Sequence, residues 1–578
     1  MVNADIKDGK RSSRSPKLQH LGRMFLLLLI IILANVLSSF LFTRFDLTSE
    51  KRFTLSPVTK KIMSGLEDVI YVKVYLDGDF PPAFQRLQTA SREMLDELRY
   101  YSDGNIEYEF INPSSYSDKE QREQLYRQLA SKGIQPTTLQ SKAGDETSQQ
   151  VIFPGALVTY RGEELPVMLL QDQIGASPDE MLNNSIQALE FGFTNAIRKL
   201  TLKYPQIICL LEGHGEASSQ SLADITRELQ TFYLVERKRM DGQLGSLNGY
   251  RAVVVAAPDS AFSEKDKFVI DQYVMKGGKV LWLLDGVIAT MDSLERSDET
   301  VGIASELNLD DMLFRYGARI NHDLVLDLQS APIPVVTGQA GNKPMQTLIP
   351  WNFFPVIIPS STHPVVKNLN AIKHEFVSTI DAVGKDEVRK TPLLSTSEYS
   401  KVYNAPVRIS LDLLREKPDA KRFNSGPKTT AMLLEGQFTS NFKNRIPETI
   451  AQDSAIGFKE LSDTTAMIVV ADGDVIQNRT RKGMIIPLGE DRYTGQMFGN
   501  RNFIMNCIDY LCDDSGLMEV RSKELRLRLL DRARLQDERL KWQLVNAMAP
   551  LLLVGLFASI KLYSRRRRFA SVRNSGLK

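Results

Sequence analysis

The sequence predicts an α/β protein: a small N-terminal α/β domain, then a parallel-sheet domain with a long insertion, and one transmembrane helix at each end. Three observations carry this. Apolar runs bordered by basic clusters stand near both termini, and a β-α-β pattern opens the body at residues 69–111. Short apolar strands then alternate with helices from 206 to 284 and return from 465 to 512. At 578 residues the chain exceeds what one core supports, about 250–300 residues.

Met24 to Phe42 carries no charge and consists mostly of Leu and Ile. At ~1.5 Å per residue it spans ~28 Å, close to the bilayer core. Phe40-Leu41-Phe42-Thr43-Arg44 follows where a cleavable signal would place small residues. The run is therefore read as an uncleaved anchor, residues 24–42. Before it, residues 1–23 hold six Lys/Arg against Asp5 and Asp8. The second run, residues 543–563, contains Asn546 and Pro550 but has Lys541 and Trp542 at its entrance and Arg565 to Arg568 at its exit. Aromatic and basic residues of this kind mark headgroup layers, and positive clusters stay cytoplasmic. Both basic tails, 1–23 and 564–578, then face the cytoplasm, and the body lies on the far, periplasmic side of an inner membrane. With a whole-chain charge of +2, and with +4 in residues 1–23 and +7 in 561–578, the stretch between them carries −9. A nucleic-acid-binding body needs the reverse balance, so the lipid bilayer is an expected partner and nucleic acid is not.

In the first domain, 44–175, Ser56-Pro57 reads as an N-cap followed by proline at the first helical position. Val69–Leu76 alternates as a strand, Pro82–Tyr101 carries Leu87, Met94, Leu95 and Leu98 on one stripe, and Asn105–Ile111 is a second strand. A helix near 118–132 and strands at 150–160 and 164–170 complete a thioredoxin-like outline, without the Cys-x-x-Cys of redox chemistry. The second domain begins at 176–302. A helix at 178–200 leads to strands at 206–211, 233–238, 252–257 and 279–284, with helices at 219–231 and 263–275. It resumes at 461–515 with a strand at 465–471 and a helix at 500–512. The insertion, 303–460, is rich in Pro and β-branched residues without a clear period, and reads as mixed α/β or β. Residues 516–541 place Glu524 before Arg528 and Asp537 before Lys541 at helical spacing, as a charged stalk helix entering the second span.

Chemistry-bearing motifs are sparse. The sequence has no Gly-x4-Gly-Lys-Ser/Thr, no Gly-x-Gly-x2-Gly after a strand, no Gly-x-Ser-x-Gly and no His-Glu-x2-His. Cys209, Cys507 and Cys512 form neither a disulfide framework nor a zinc pattern. No cofactor, metal or catalytic residue is expected. One candidate crevice remains. Glu212-Gly213-His214-Gly215-Glu216 sits at the carboxyl end of a predicted parallel strand, where open α/β sheets bind ligands. Asp472-Gly473-Asp474 follows a later strand and is placed to face the same crevice. Ligand or partner binding through Gly213, His214, Gly215, Glu216, Asp472 and Asp474 competes there with ordinary turn chemistry.

Several segments, in order along the whole chain, resemble the GldG family of gliding-motility proteins. They are Phe45-Asp46-Leu47-Thr48, Arg52-Phe53-Thr54-Leu55-Ser56, Val74-Tyr75-Leu76-Asp77-Gly78, Gly213-His214-Gly215-Glu216, Ile270 to Trp282, Gly499-Asn500-Arg501-Asn502-Phe503 and Lys541-Trp542-Gln543. The resemblance implies an extracytoplasmic auxiliary subunit of an ABC transporter, of the ABC-type uncharacterised transport system family. It implies a body like class I glutamine amidotransferases, with an ABC permease subunit and a cytoplasmic ATPase subunit as partners. It also implies a non-enzymatic role in gliding motility and associated secretion. Amidotransferase chemistry does not carry over, because no cysteine sits at a strand-to-helix elbow. The rival reading is a membrane-tethered ligand-binding or hydrolytic domain using the crevice near His214 and Asp472.

Overall fold

The computed structural model describes residues 24–33, 35, 54–522 and 538–573, apart from 117, 144–145, 172, 175–176, 341–342, 385–386, 416–417, 449–451, 454–455 and 482. The chain forms two compact units, residues 1–523 and 524–578. In the first unit an apolar helix, α1 (Met24–Leu33), begins where the first span is expected. Residue 34 and residues 36–42 of that span lie outside the described residues, as do 1–23, the resemblance segment Phe45–Thr48 and the first two residues of the segment Arg52–Ser56.

Local signals set the next elements. Ser56 adopts extended φ/ψ and its side chain accepts from the Thr59 N–H, opening α2 (Pro57–Ser64). The parallel strands β1 (Ile70–Val74) and β2 (Ile106–Phe110) flank α3 (Pro82–Tyr101), which has the predicted bounds. After α4 (Lys119–Ser131), strands β3 (Gly155–Tyr160) and β4 (Glu163–Met168) add antiparallel, giving the order β2-β1-β3-β4. Helix α5 (Pro178–Thr201) starts at a capping box of Ser177 and Glu180. Alternation along β1 sends Ile70, Val72 and Val74 into a core with Leu87, Leu95 and Leu98 of α3 and Leu189 and Phe193 of α5.

The large sheet contains β5 (Ile207–Glu212), β6 (Leu234–Arg239), β7 (Ala252–Ala256), β8 (Val280–Leu283), β9 (Val388–Ser395), β10 (Thr429–Gly436) and β11 (Thr465–Val470), in the order β9-β10-β11-β8-β7-β5-β6. Its five strands β6, β5, β7, β8 and β11 are parallel. Counted along the chain they run 2-1-3-4-5, a doubly wound order whose switch point lies between β5 and β7. Ile208, Leu210, Val254 and Val470 face α6 (Ala223–Gln230) and α9 (Asn500–Cys512). Cys209, Leu211, Val255 and Trp282 face α7 (Glu264–Met275) and α8 (Asp310–Tyr316).

The sheet departs from the all-parallel expectation at one edge. Strands β9 and β10, both from residues 303–460, extend it antiparallel. Thr430 to Leu434 are all buried. An apolar run of that length needs cover on both faces, and an inner sheet position supplies it. The same segment also forms a long hairpin, Ser330–Ala340 with Lys343–Ile357, over a cluster of Trp351, Phe353, Phe354 and Phe376.

The second unit contains α10 (Arg539–Arg573). Its stretch Arg539–Arg566 has 28 residues and contains an 18-residue window of mean hydropathy 1.8, and at ~1.5 Å per residue the stretch exceeds the ~30 Å hydrocarbon thickness. Among the described residues, one helix, near the C-terminus, is therefore long and apolar enough to cross a membrane, and it includes the predicted span. The expected stalk helix lies mostly outside the described residues; its start, Leu517–Ser522, is a 3-10 helix in the first unit.

Candidate functional site

The loop after β5 is shaped by its glycines. Gly213 and Gly215 have φ of +132° and +71°, where residues with a Cβ are strained. A Cβ on Gly215 would lie 1.6 Å from Asp259 Oδ1, in the loop after β7. His214, 4% exposed, stacks on Phe262 with ring centroids 3.6 Å apart. Its Nδ1 lies 3.2 Å from Glu216 Oε1 and its Nε2 3.3 Å from Asp266 Oδ2. Its backbone N–H donates to Glu216 Oε2 at 2.7 Å, and its carbonyl accepts from the N–H groups of Asp259 and Ser260. Burial opposes the imidazolium, but the bonds to Glu216 and Asp266 raise its pKa above the ordinary value.

These contacts engage both ring nitrogens and one ring face of His214 with the protein's own side chains. Each ring nitrogen of His214 therefore faces a carboxylate, Glu216 or Asp266, rather than open solvent. Glu212 is likewise engaged, by Arg237. The residues singled out in the sequence thus cross-brace two loops, through Phe262 and Asp266, which sequence spacing could not identify as partners.

Asp472 and Asp474 belong to a second cluster. Asp472 is fully buried and accepts from the backbone N–H groups of Glu375 and Asp474 at 3.0 and 2.8 Å and from His374 Nδ1 at 2.8 Å. Asp285, just beyond β8, accepts from the Gly473 N–H at 2.7 Å. Arg479 pairs with Asp474 at 3.2 Å and with Glu375, while Lys373 joins Glu375 to Asp491 at 3.0 and 2.8 Å. Burial, offset in part by Arg479 and reinforced by Glu375 and Asp472, pushes Asp474 up to about 6. Burial, with Asp474 and Asp472 beside it, holds Asp285 well above the usual carboxylate range. Glu375 goes the other way, to about 2: burial is overcome by Arg479 and Lys373. Sequence reasoning missed Asp285, although an Asp directly after Val280–Leu284 repeats the pattern of Asp472 after Thr465–Ala471.

Strands β7 and β8 lie between β5 and β11, so three interstrand steps of about 4.8 Å separate the strand ends, while the segments beyond them meet where the Asn478 N–H donates to the Ser221 carbonyl at 2.8 Å. The cleft beside Asp474, Glu375 and Arg479 has about 40 Å³, room for ordered water rather than a metabolite of ~300 Å³ or more. Among the described residues no three His, Cys, Asp or Glu are grouped to hold a metal ion. All three thiols are free and buried. Burial pushes Cys209 and Cys512 up to about 12, and Cys209 lies inside β5, so neither offers a thiolate nucleophile.

Comparison with known proteins gives two family matches. A model described as an ABC-type uncharacterized transport system matches residues 205–507, from the start of β5 into α9. One described as a domain of unknown function matches 49–159. An uncharacterized protein of Borreliella burgdorferi is 21% identical over 455 residues, 73% of this chain and 78% of its own. Among solved structures, the mmIFT52 N-terminal domain covers 53% of this chain and 97% of its own at 12% identity and TM-score 0.30. A putative ThuA-like protein from Parabacteroides merdae covers 54% and 90% at 14% identity and TM-score 0.24. Neither structural likeness, at those scores, bears on the fold.

Proposed function

Because the chain belongs to the ABC-type uncharacterized transport system family, we propose that it is a non-enzymatic auxiliary subunit of an ABC transporter complex. An ABC permease subunit and a separate cytoplasmic ATPase subunit are its partners, since the sequence holds no phosphate-binding loop of its own. The resemblance to the GldG family extends this to gliding motility and associated secretion. Both termini lie in the cytoplasm, and the body is periplasmic. The 2-1-3-4-5 order supports an amidotransferase-like body, and the β2-β1-β3-β4 order supports a thioredoxin-type first domain, each without the family's chemistry.

One observation supports the non-enzymatic reading: His214 is buried, stacked on Phe262 and held by Glu216 and Asp266. A hydrolase would keep His214 free to exchange a proton. The test is complementation with His214→Gln and Glu216→Gln together, which retains hydrogen-bonding groups but removes acid-base chemistry. Full function at normal protein level is expected. Loss of function at normal level favours the ligand-binding or hydrolytic alternative.

A further inference from the structure

The long hairpin, Ser330–Ala340 with Lys343–Ile357, reaches beyond the core in which it is rooted. Ala331, Ile333, Trp351 and Phe353 are buried at its base, whereas Met345 to Leu348 are all exposed. Successive strand residues point to opposite faces, so both faces of the ribbon are bare at that level. From Trp351 to Met345 the arm extends about 20 Å at ~3.3 Å per residue. We propose that this arm seats Val336, Met345 and Leu348 in the headgroup layer of the lipid bilayer that anchors the chain.

Apolar exposure without charge is the first argument. Val336, Met345 and Leu348 are 59%, 51% and 48% exposed. Pairing of Pro334 with Leu348 and of Val336 with Gln346 puts Pro334, Val336 and Leu348 on one face, and Met345 on the other. Residues 328–362 hold a single ionisable side chain, Lys343, where the chain's 25% of charged residues would place about nine. Contiguous apolar exposure marks a contact surface, and a two-stranded ribbon bare on both faces is marginal in water on its own.

Charge and backbone select what covers the arm. Protein interfaces carry a polar rim, and this segment offers no carboxylate and one amine to build it. Its outer strand is a sheet edge that holds Pro332 and Pro334. Each lacks an N–H, which makes that edge ill suited to receive an added strand. A headgroup layer needs neither feature. It takes up apolar side chains and still hydrates the edge carbonyls, which the hydrocarbon interior does not. Anionic headgroups repel the net negative body, but not an arm free of carboxylates.

Tethering is the remaining argument. Helix α10, long and apolar enough to cross a membrane, keeps the chain at a bilayer. Contact of the arm with lipid is then intramolecular in effect, so a patch of three side chains suffices where a free protein needs a second anchor. The inference rests on α10 as a span, and not on the transporter reading.

The full chain reconstituted in phosphatidylcholine vesicles tests the proposal. Cys209, Cys507 and Cys512 are buried, so a fluorophore on Gln346→Cys is the single label and leaves the three apolar side chains in place. A lipid carrying a nitroxide at headgroup depth should quench it about twofold, at low and at high salt. Val336→Ser with Leu348→Ser, both at exposed positions, should abolish the quenching at unchanged Tm. Absence of quenching overturns the proposal, as does quenching that survives the double substitution or disappears in salt. Protection from aqueous iodide without lipid quenching marks a protein on the arm, a second copy included, and overturns it too. Release of the chain by alkaline carbonate would contradict the span itself, and with it the tether that the arm requires.

Discussion

Asp474 and His214 each respond to pH, and both weaken the fold as pH rises. A carboxyl held at about 6 in the fold against ~3.9 unfolded is most favourable when protonated. Its contribution is full below ~4 and is lost between ~4 and ~6. His214, whose pKa Glu216 and Asp266 raise above its ordinary value, contributes fully below its unfolded pKa and loses that contribution as pH rises through the folded one. Asp474→Asn removes the first effect while nearly preserving shape. The change in stability on substitution should be more favourable at pH 7 than at pH 4 by about 2 kcal/mol. Thermal melting of both proteins at both pH values checks this, and an equal or reversed change contradicts the assignment. The glycines and the carboxyl-end position of this loop were legible in the sequence. Its partners were not, because Phe262 and Asp266 approach His214 only through the pairing of β5 with β7.

At the scale of elements, legibility followed the range of the interactions. Helix α3 is bounded by Pro82 and by a change of period, both local, and its predicted ends match. Strand β10 was missed because its neighbours β9 and β11 are long-range, and Ala431–Leu434 alone fits a buried strand or a buried helix. Helix α7 shows how an element holds a loop. Asp271 accepts hydrogen bonds from Ser440, Asn441 and Tyr316, so Asp271→Ala leaves three buried donors unmatched. The expected loss is about 3 kcal/mol, read by denaturant unfolding. A loss below ~1 kcal/mol means that the loop is not anchored there. For α10, the proposed cytoplasmic placement of its end rests on Arg565 to Arg568. Replacing all four with Ser should make that end accessible to protease from outside in intact cells. Unchanged protection contradicts the assigned topology.

The whole molecule joins an acidic body to basic ends. Its net charge of +2 conceals this asymmetry, which together with the two apolar runs was readable before any fold. The parallel sheet was readable too, from the alternation of apolar strands and helices. The bracing of the His214 loop was not, because composition does not reveal whether a glycine loop is open or braced. A braced loop on a membrane-bound body of the ABC-type transport family fits a subunit that works through contacts with other chains. Isolation of the full chain from its native membrane in mild detergent, with identification of the chains that accompany it, tests this directly. The account predicts a permease and a cytoplasmic ATPase at fixed ratio to the chain. The chain recovered alone, under conditions that keep other ABC complexes intact, would contradict it.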